Sequence, residues 1–94
     1  MRKLLPNRRA STRFEIEHDN LRYSVTVTRF LDGKLAEIFL DCDKPDSAVA
    51  VHANAAAILA SMLLQHGVSS TEISHSIRGP LALALARADK DGET

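Results

Sequence analysis

The sequence predicts an α+β domain of two layers, in which a three-stranded antiparallel meander precedes one long helix and two short helices. Apolar and polar residues alternate over three consecutive segments, and short turn dipeptides separate these segments. An alanine- and leucine-rich stretch with helix-ending glycines follows them. Because 94 residues suffice for one core, we place a single domain at residues 13–88. An irregular basic lead-in, 1–12, precedes it, and a polar tail, 89–94, follows it.

Three segments alternate with the two-residue period of half-buried strands, and they are rich in the valine, threonine and aromatic residues that favour strands. The connections Asp19-Asn20 and Asp32-Gly33 suit hairpin turns, because these residue types tolerate left-handed backbone conformations. Short turns join antiparallel neighbours, so the three strands form a meander. The predicted strands are 13–18, 21–30 and 35–42.

Phe39 takes an outward position in the third predicted strand, on a face that is otherwise mostly polar. A small sheet of three strands often gains stability by pairing with another surface. Phe39 is therefore a candidate contact for a homodimer. An isolated exposed aromatic residue is also common and harmless, and both interpretations stay open.

The long helix begins after a loop in which Asp46 or Ser47 can cap its first turn. It extends to Gln65 and ends at Gly67, which suits the position after a helix C-terminus. We expect this helix to cover one face of the sheet. Helical spacing predicts that it does so through a buried stripe of Val51, Ala55, Ile58, Leu59 and Met62.

Two shorter helices complete the predicted domain. Ser69 and Glu72 have capping-box spacing and open a helix over 70–77, which would bury both of its isoleucines. Pro80 suits the first turn of the last helix, 81–88. The residues after this helix are polar, and we predict disorder there.

Composition excludes several classes of protein. The formal net charge is zero, so no overall field favours nucleic acid or an anionic membrane. Cys42 is the only cysteine, which excludes an internal disulfide and a CxxC zinc pair and fits a reducing cytoplasm. No apolar run approaches the ~20 residues of a membrane span. The N-terminal residues lack the apolar stretch of a secretory signal.

No side chains have the spacing of a reactive site. Cys42 lies between Asp41 and Asp43, whose charges disfavour a thiolate, so it is interpreted as a buried structural residue, with an exposed thiol as the alternative. His52 and His66 are four helical turns apart and cannot share a metal ion. Phosphate-loop and serine-elbow motifs are absent. The sequence therefore predicts no catalytic residue, no cofactor and no metal.

Positive charge concentrates before Glu15, the first acidic residue. Arg8, Arg9 and Arg13 are therefore candidate interaction residues for phosphates or an acidic partner, although a solvated, frayed terminus is the other interpretation. The β-β-β-α order is similar to double-stranded-RNA-binding domains, which place lysines at the start of the last helix. Residues 46–49 supply no such base. Nucleic-acid binding through the basic arm is the alternative hypothesis for this chain.

Two separated motifs carry a family resemblance. The first covers 27–33, Val-Thr-Arg-Phe-Leu-Asp-Gly, and continues at 36–40; the second covers 61–68, Ser-Met-Leu-Leu-Gln-His-Gly-Val. Together they resemble the TSCPD domain, the C-terminal segment of adenosylcobalamin-dependent ribonucleotide reductases. That segment has a strand, an Asp-Gly hairpin, a second strand, and a helix ending in Leu-Gln-Tyr-Gly-Val. The resemblance covers about residues 5–79.

The departures from that family limit what the resemblance implies. The Thr-Ser-Cys-Pro-Asp motif and the terminal CxxC motif are absent, and Arg-Gly-Pro-Leu at 78–81 replaces the usual Arg-Phe-Glu-Pro. The reductase active site lies on a large barrel with no counterpart here, so no catalytic residue carries over. The resemblance implies a non-catalytic, stand-alone accessory or interaction domain linked to deoxyribonucleotide synthesis. It would act as a homodimer or by docking on a larger reductase.

Overall fold

The computed structural model describes residues 11–92 as a three-stranded antiparallel sheet in the order β1-β2-β3, followed by three helices. This confirms the predicted α+β class and the β-β-β-α-α-α order. The elements are β1 Ser11–His18, β2 Leu21–Arg29, β3 Leu35–Cys42, α1 Ala48–Gln65, α2 Ser70–Ser76 and α3 Pro80–Gly92.

Strand β1 begins at Ser11, two residues before its predicted start. The last two residues of the predicted irregular lead-in therefore belong to the sheet, where Ser11 pairs with Thr28. Residues 1–10, with Arg8 and Arg9 among them, lie outside the described residues.

Helix α3 extends to Gly92, about one turn beyond its predicted end. The polar segment that begins at Asp89 is therefore helical this far, and residues 93–94 lie outside the described part of the chain. The hydroxyl of Ser70 donates a hydrogen bond to the Asp89 carboxylate. This bond joins the added turn of α3 to α2. Asp89, which was predicted to belong to the polar tail, is therefore bonded within the fold.

Both predicted hairpins form, but the second has a longer connection than a two-residue Asp-Gly turn: the Gly33 N–H donates to the Phe30 carbonyl at 2.9 Å, and the register shifts between Thr28 and Arg29. Asp19 and Asn20 have φ values of 52° and 65°, the left-handed conformation that a type I′ hairpin turn requires at both central positions. In the second turn Gly33 has a φ of 90°. There the Asp32 carboxylate accepts a 2.9 Å hydrogen bond from the backbone N–H of Lys34. The turns fix the register of the meander.

Helix α1 packs along β3, the strand at one edge of the sheet. The Ser61 hydroxyl accepts a 2.9 Å hydrogen bond from the Ile38 N–H and donates a 3.0 Å bond to the Ile38 carbonyl. Gln65 donates through Nε2 to the Ala36 carbonyl at 3.2 Å. A buried strand edge needs such partners for its backbone groups. Two buried polar side chains of α1 thus stand in for a fourth strand.

The ends of α1 are capped as predicted. The Ser47 side chain accepts a 3.1 Å hydrogen bond from the N–H of Ala50, which satisfies one of the free donors of the first turn. At the other end Gly67 has a φ of 95°. The N–H of Val68 donates to the Leu63 carbonyl at 3.0 Å, the long-range bond of a Schellman motif.

Helix α2 is also capped as predicted, because the Ser69 hydroxyl accepts a 3.1 Å hydrogen bond from the N–H of Glu72. Ile73 is buried in the core. The prediction that Ile77 is buried was wrong: this residue is the C-cap, has an extended backbone and is 37% exposed. The helix ends before a second buried turn can form.

Helix α3 contacts all three strands, whereas α1 contacts the sheet chiefly at the edge strand β3. The expectation that the long helix covers the sheet face therefore holds only at that edge. Two arginines fix α3 to the sheet. The Arg87 guanidinium lies 4.9 Å from the centroid of the Phe14 ring, a cation–π contact. Arg29 donates through Nη2 to the Ala88 carbonyl at 2.8 Å. Among residues 80–90, the buried side chains of α3 are Leu81, Ala84, Leu85 and Ala88.

Tyr23 lies in the core and is 1% exposed. Its hydroxyl has no hydrogen-bond partner among residues 11–92. Burial raises the Tyr23 pKa, and the negative charges that Cys42, Asp19 and Asp43 can carry raise it further. The phenol is therefore held in its neutral form.

We expect the phenol of Tyr23 to ionise above the ordinary tyrosine pKa of about 10. Because the pKa is raised in the folded state, the stability that Tyr23 contributes is complete below pH ~10 and is lost as pH rises through the folded pKa. The chain has one tyrosine, so near-ultraviolet phenolate absorbance reports this group alone. Tyr23→Phe should lose stability less steeply over the same pH range. A folded-state midpoint no higher than that of the urea-denatured chain would contradict the buried placement.

Candidate functional site

The predicted interaction residues Arg13 and Phe39 lie in one row across the outer face of the sheet. Arg13 pairs with Thr26 on β2, and Thr26 pairs with Phe39 on β3. The adjoining row carries the carboxylates of Glu15 and Asp41 at its two ends. Phe39 is 38% exposed. The outer face therefore presents one aromatic ring among charges of both signs.

The predicted buried stripe of α1 exists, but the prediction that it faces the core was wrong. Leu59 is 61% exposed, Val51 59%, Ile58 47% and Met62 42%, and Ala55 is exposed as well. We call these five residues the α1 stripe. The face toward the domain consists of smaller residues and two polar ones: Ala50, Ala53, Ala57, Ala60, Ser61, Leu64 and Gln65.

The inner face of α1 was predicted wrongly because this helix carries no charged residue. Residues 48–65 contain no Asp, Glu, Lys or Arg, so no charged face marks the solvent side, and both faces have helical spacing. Alanines face β3 because the backbones must approach closely for Ser61 to reach Ile38 at 2.9 Å. Ser61 and Gln65 are hydrogen-bonded to β3, as buried polar side chains generally are. Their positions in the sequence do not distinguish them from His52 and Asn54, which are polar and exposed.

Helix α1 is also apolar and long enough to cross a membrane by length and composition, with a mean hydropathy of 1.5. The sequence-based expectation that no apolar segment has this length therefore does not hold for α1. Core helices of globular domains pass the same criterion, and 39% of α1 is buried against the rest of the domain. Its hydrogen bonds to β3 are those of a helix packed within the fold.

The α1 stripe is a continuous, uncharged apolar surface. Leu63, 45% exposed, extends it by one residue. From these exposed fractions the surface amounts to on the order of 500 Å², within the range of the largest apolar patches on monomeric proteins, which are often functional. Such a surface is suited to contact with another protein.

A second feature is an open cleft of about 360 Å³ between the β2–β3 turn and the α1–α2 connection. Its walls come from residues 29–35 and 64–71, with Asp89 from α3. These walls overlap the two separated motifs at 27–33 and 61–68 on which the family resemblance depends. We call this feature the motif cleft. Sequence reasoning missed it, because nothing in the sequence shows that the two motifs meet.

Two charged side chains of the motif cleft, those of Arg29 and Asp89, are held by hydrogen bonds within the domain, and a third, that of Lys34, is exposed. The Arg29 guanidinium donates to the Gly33 carbonyl at 2.9 Å and to the Ala88 carbonyl at 2.8 Å. Asp89 accepts a hydrogen bond from Ser70. Lys34 is an exposed cation on the wall. The cleft therefore has a fixed polar lining with one exposed positive charge.

Cys42 is half-buried, packs against the core and is a free thiol. Its sulfur accepts a hydrogen bond from the Lys44 N–H at 3.5 Å and lies 3.7 Å from an Asp43 carboxylate oxygen. Within residues 11–92 no group of three or more His, Cys, Asp and Glu side chains is close enough to hold a metal ion. Cys42 was predicted to be buried, and the structure places it at the margin of the core.

Comparison with known proteins agrees with the resemblance that the two motifs indicate. The family model of the TSCPD domain matches residues 2–85. No curated protein and no solved structure gives a significant match to the chain. The matched residues include the whole sheet, α1, α2 and both walls of the motif cleft. The chain therefore belongs to the TSCPD domain family.

Proposed function

We propose that this chain is a stand-alone, non-catalytic accessory domain that binds a ribonucleotide reductase in the cytoplasm and so serves deoxyribonucleotide synthesis. The proposal builds on its similarity to the C-terminal segment of adenosylcobalamin-dependent reductases. The observation that carries it is the motif cleft, where the two motifs behind that similarity line one surface. If this chain and the reductase segment have a binding function in common, we expect it at the surface where the residues common to both lie together.

The chemistry of the motif cleft supports a protein partner. Arg29 donates hydrogen bonds to two backbone carbonyls of the same chain, and the hydroxyl of Ser69 caps α2. Half-buried Val68 adds an apolar wall. A mixed polar and apolar surface with an exposed charge is typical of the rim of a non-obligate protein interface.

We expect Lys34→Glu to weaken binding to the purified reductase of the same organism by roughly 10-fold. A reversed rim charge changes electrostatic complementarity and the association rate. Lys44→Glu is the matched control, because Lys44 is also exposed but lies in the β3–α1 loop outside the cleft. Titration calorimetry at two salt concentrations measures both affinities, and the Lys34 effect should shrink at high salt.

Two results would argue against this function. The first is the absence of a saturable complex between the chain and the reductase at micromolar concentrations. The second is an equal loss of affinity in Lys34→Glu and Lys44→Glu, which would remove the motif cleft from the contact.

Nucleic-acid binding through the basic arm lacks a comparable supporting observation. Arg8 and Arg9 lie outside the described residues, and Arg13 has the carboxylates of Glu15 and Asp41 in the neighbouring row. A steep loss of nucleic-acid affinity with salt, dependent on these three arginines, would favour this alternative.

A further inference from the structure

We propose that the α1 stripe binds a second copy of this chain, with the two α1 helices packed antiparallel about a two-fold axis. The stripe shares no residue with the motif cleft, so this dimer does not depend on the proposed reductase contact. Charge, shape and area each support the second copy as the occupant.

The charge of α1 suits self-association. In a two-fold contact the same patch meets itself, so any charge near the axis faces an identical charge. Residues 48–65 carry none. Antiparallel packing also sets the N-terminal end of each helix beside the C-terminal end of the other, which their dipoles favour.

The stripe is complementary to itself in shape. An antiparallel arrangement centred between residues 56 and 57 sets Val51 opposite Met62 and Ala55 opposite Ile58. In both pairs a smaller side chain meets a larger one, which lets two layers interdigitate. The alanine near the axis allows the helices to approach closely at the centre of the contact.

The area is near what a stable dimer needs. The stripe and Leu63 expose on the order of 500 Å² of apolar surface per copy, against about 800 Å² per partner in a standard interface. An 18-residue helix is about 27 Å long, so the flanking exposed residues His52 and Asn54 fall within the same contact. They add to the buried area and form a polar rim.

The test is the mass of the full chain by sedimentation equilibrium over a range of concentrations. We expect a dimer of the wild-type chain and at least ~100-fold weaker association of Leu59→Glu, because two like charges then meet near the axis. Leu31→Glu is the matched control, since Leu31 is 87% exposed in the β2–β3 turn and should not affect the dimer. Circular dichroism checks that each variant is folded.

A second experiment tests whether position 59 lies beside its own copy near the two-fold axis. Position 59 lies about 7.5 Å along the helix axis from its own copy in this arrangement. An equimolar mixture of Leu59→Glu and Leu59→Lys should therefore restore a dimer that neither variant forms alone. Recovery of the mixed dimer supports a contact in which position 59 lies near its own copy, and its absence overturns it.

Three other outcomes overturn the dimer. The first is a wild-type chain that stays monomeric at high concentration. The second is a Leu59→Glu variant that dimerises like the wild type. The third is a dimer that Phe39→Glu dissociates and Leu59→Glu does not, which would assign the contact to the sheet. A monomeric wild type whose Leu59→Glu variant loses reductase binding assigns the stripe to the reductase. In each case the effect of Lys34→Glu on reductase binding still tests the proposed function separately.

Discussion

Replacing Leu85 by alanine should lower the free energy of unfolding by about 3–4 kcal/mol. Leu85 lies on the inner face of α3 and is fully buried, with 0% of its surface exposed. Its removal deletes apolar contacts and leaves a cavity that the surrounding strands cannot fill by a small shift. A domain of this size has a total stability of roughly 5–10 kcal/mol. The variant should therefore lose a large share of its stability and melt about 15 °C lower.

Leu83→Ala is the control, because Leu83 is on the same helix but 43% exposed. We expect it to cost no more than about 1 kcal/mol, since much of the deleted surface already contacts water. Urea denaturation followed by circular dichroism, at one protein concentration for all variants, measures both changes. Equal losses in the two variants would mean that α3 does not present Leu85 to the sheet.

The second large effect concerns the face of α1 that packs on β3. Ala57→Leu should lower the free energy of unfolding by about 2–3 kcal/mol, because Ala57 is 0% exposed and three added carbons would force the helix off the strand. A shifted helix would also stretch the hydrogen bonds of Ser61 to Ile38, now 2.9 and 3.0 Å long. Thermal and urea unfolding both report this loss.

Ala55→Leu tests the same substitution on the opposite face of the helix. Ala55 is exposed on the single chain, and leucine is nearly as good a helix former as alanine. At a protein concentration low enough to keep the chain monomeric, stability should therefore change by less than about 0.5 kcal/mol. The two substitutions thus separate the two candidate inner faces of α1. If Ala55→Leu proved the damaging change and Ala57→Leu the neutral one, the α1 stripe would face the core.

The sheet and its turns could be predicted because their signals are local. Alternation places each strand residue on one of two faces, and Asp19, Asn20 and Gly33 adopt the left-handed φ values that their residue types favour. Ser47 and Ser69 cap helices through bonds to residues three positions away. Each of these interactions lies within a few residues and is visible in the order of the chain.

The features that could not be predicted depend on distant partners. The inner face of α1 is decided by the backbone of Ile38, 23 residues before Ser61. The last turn of α3 has its partner in Ser70, 19 residues before Asp89. The motif cleft joins segments that are 29 or more residues apart in the chain. Local periodicity carries no information about which residue in a distant element will satisfy a given group.

Ser61 and Gln65 occupy the outer edge of β3, and this restricts how the sheets of different copies can pair edge to edge. Backbone groups of Ala36 and Ile38 are already bonded to α1, so that side of the sheet is not free to accept an incoming strand. In the part of the chain that the structure describes, β1 is then the remaining sheet edge. Pairing of β1 with β1 of another copy is isologous and stops at two. An unlimited ribbon needs two free edges on every subunit, and the sheet formed by residues 11–42 supplies one.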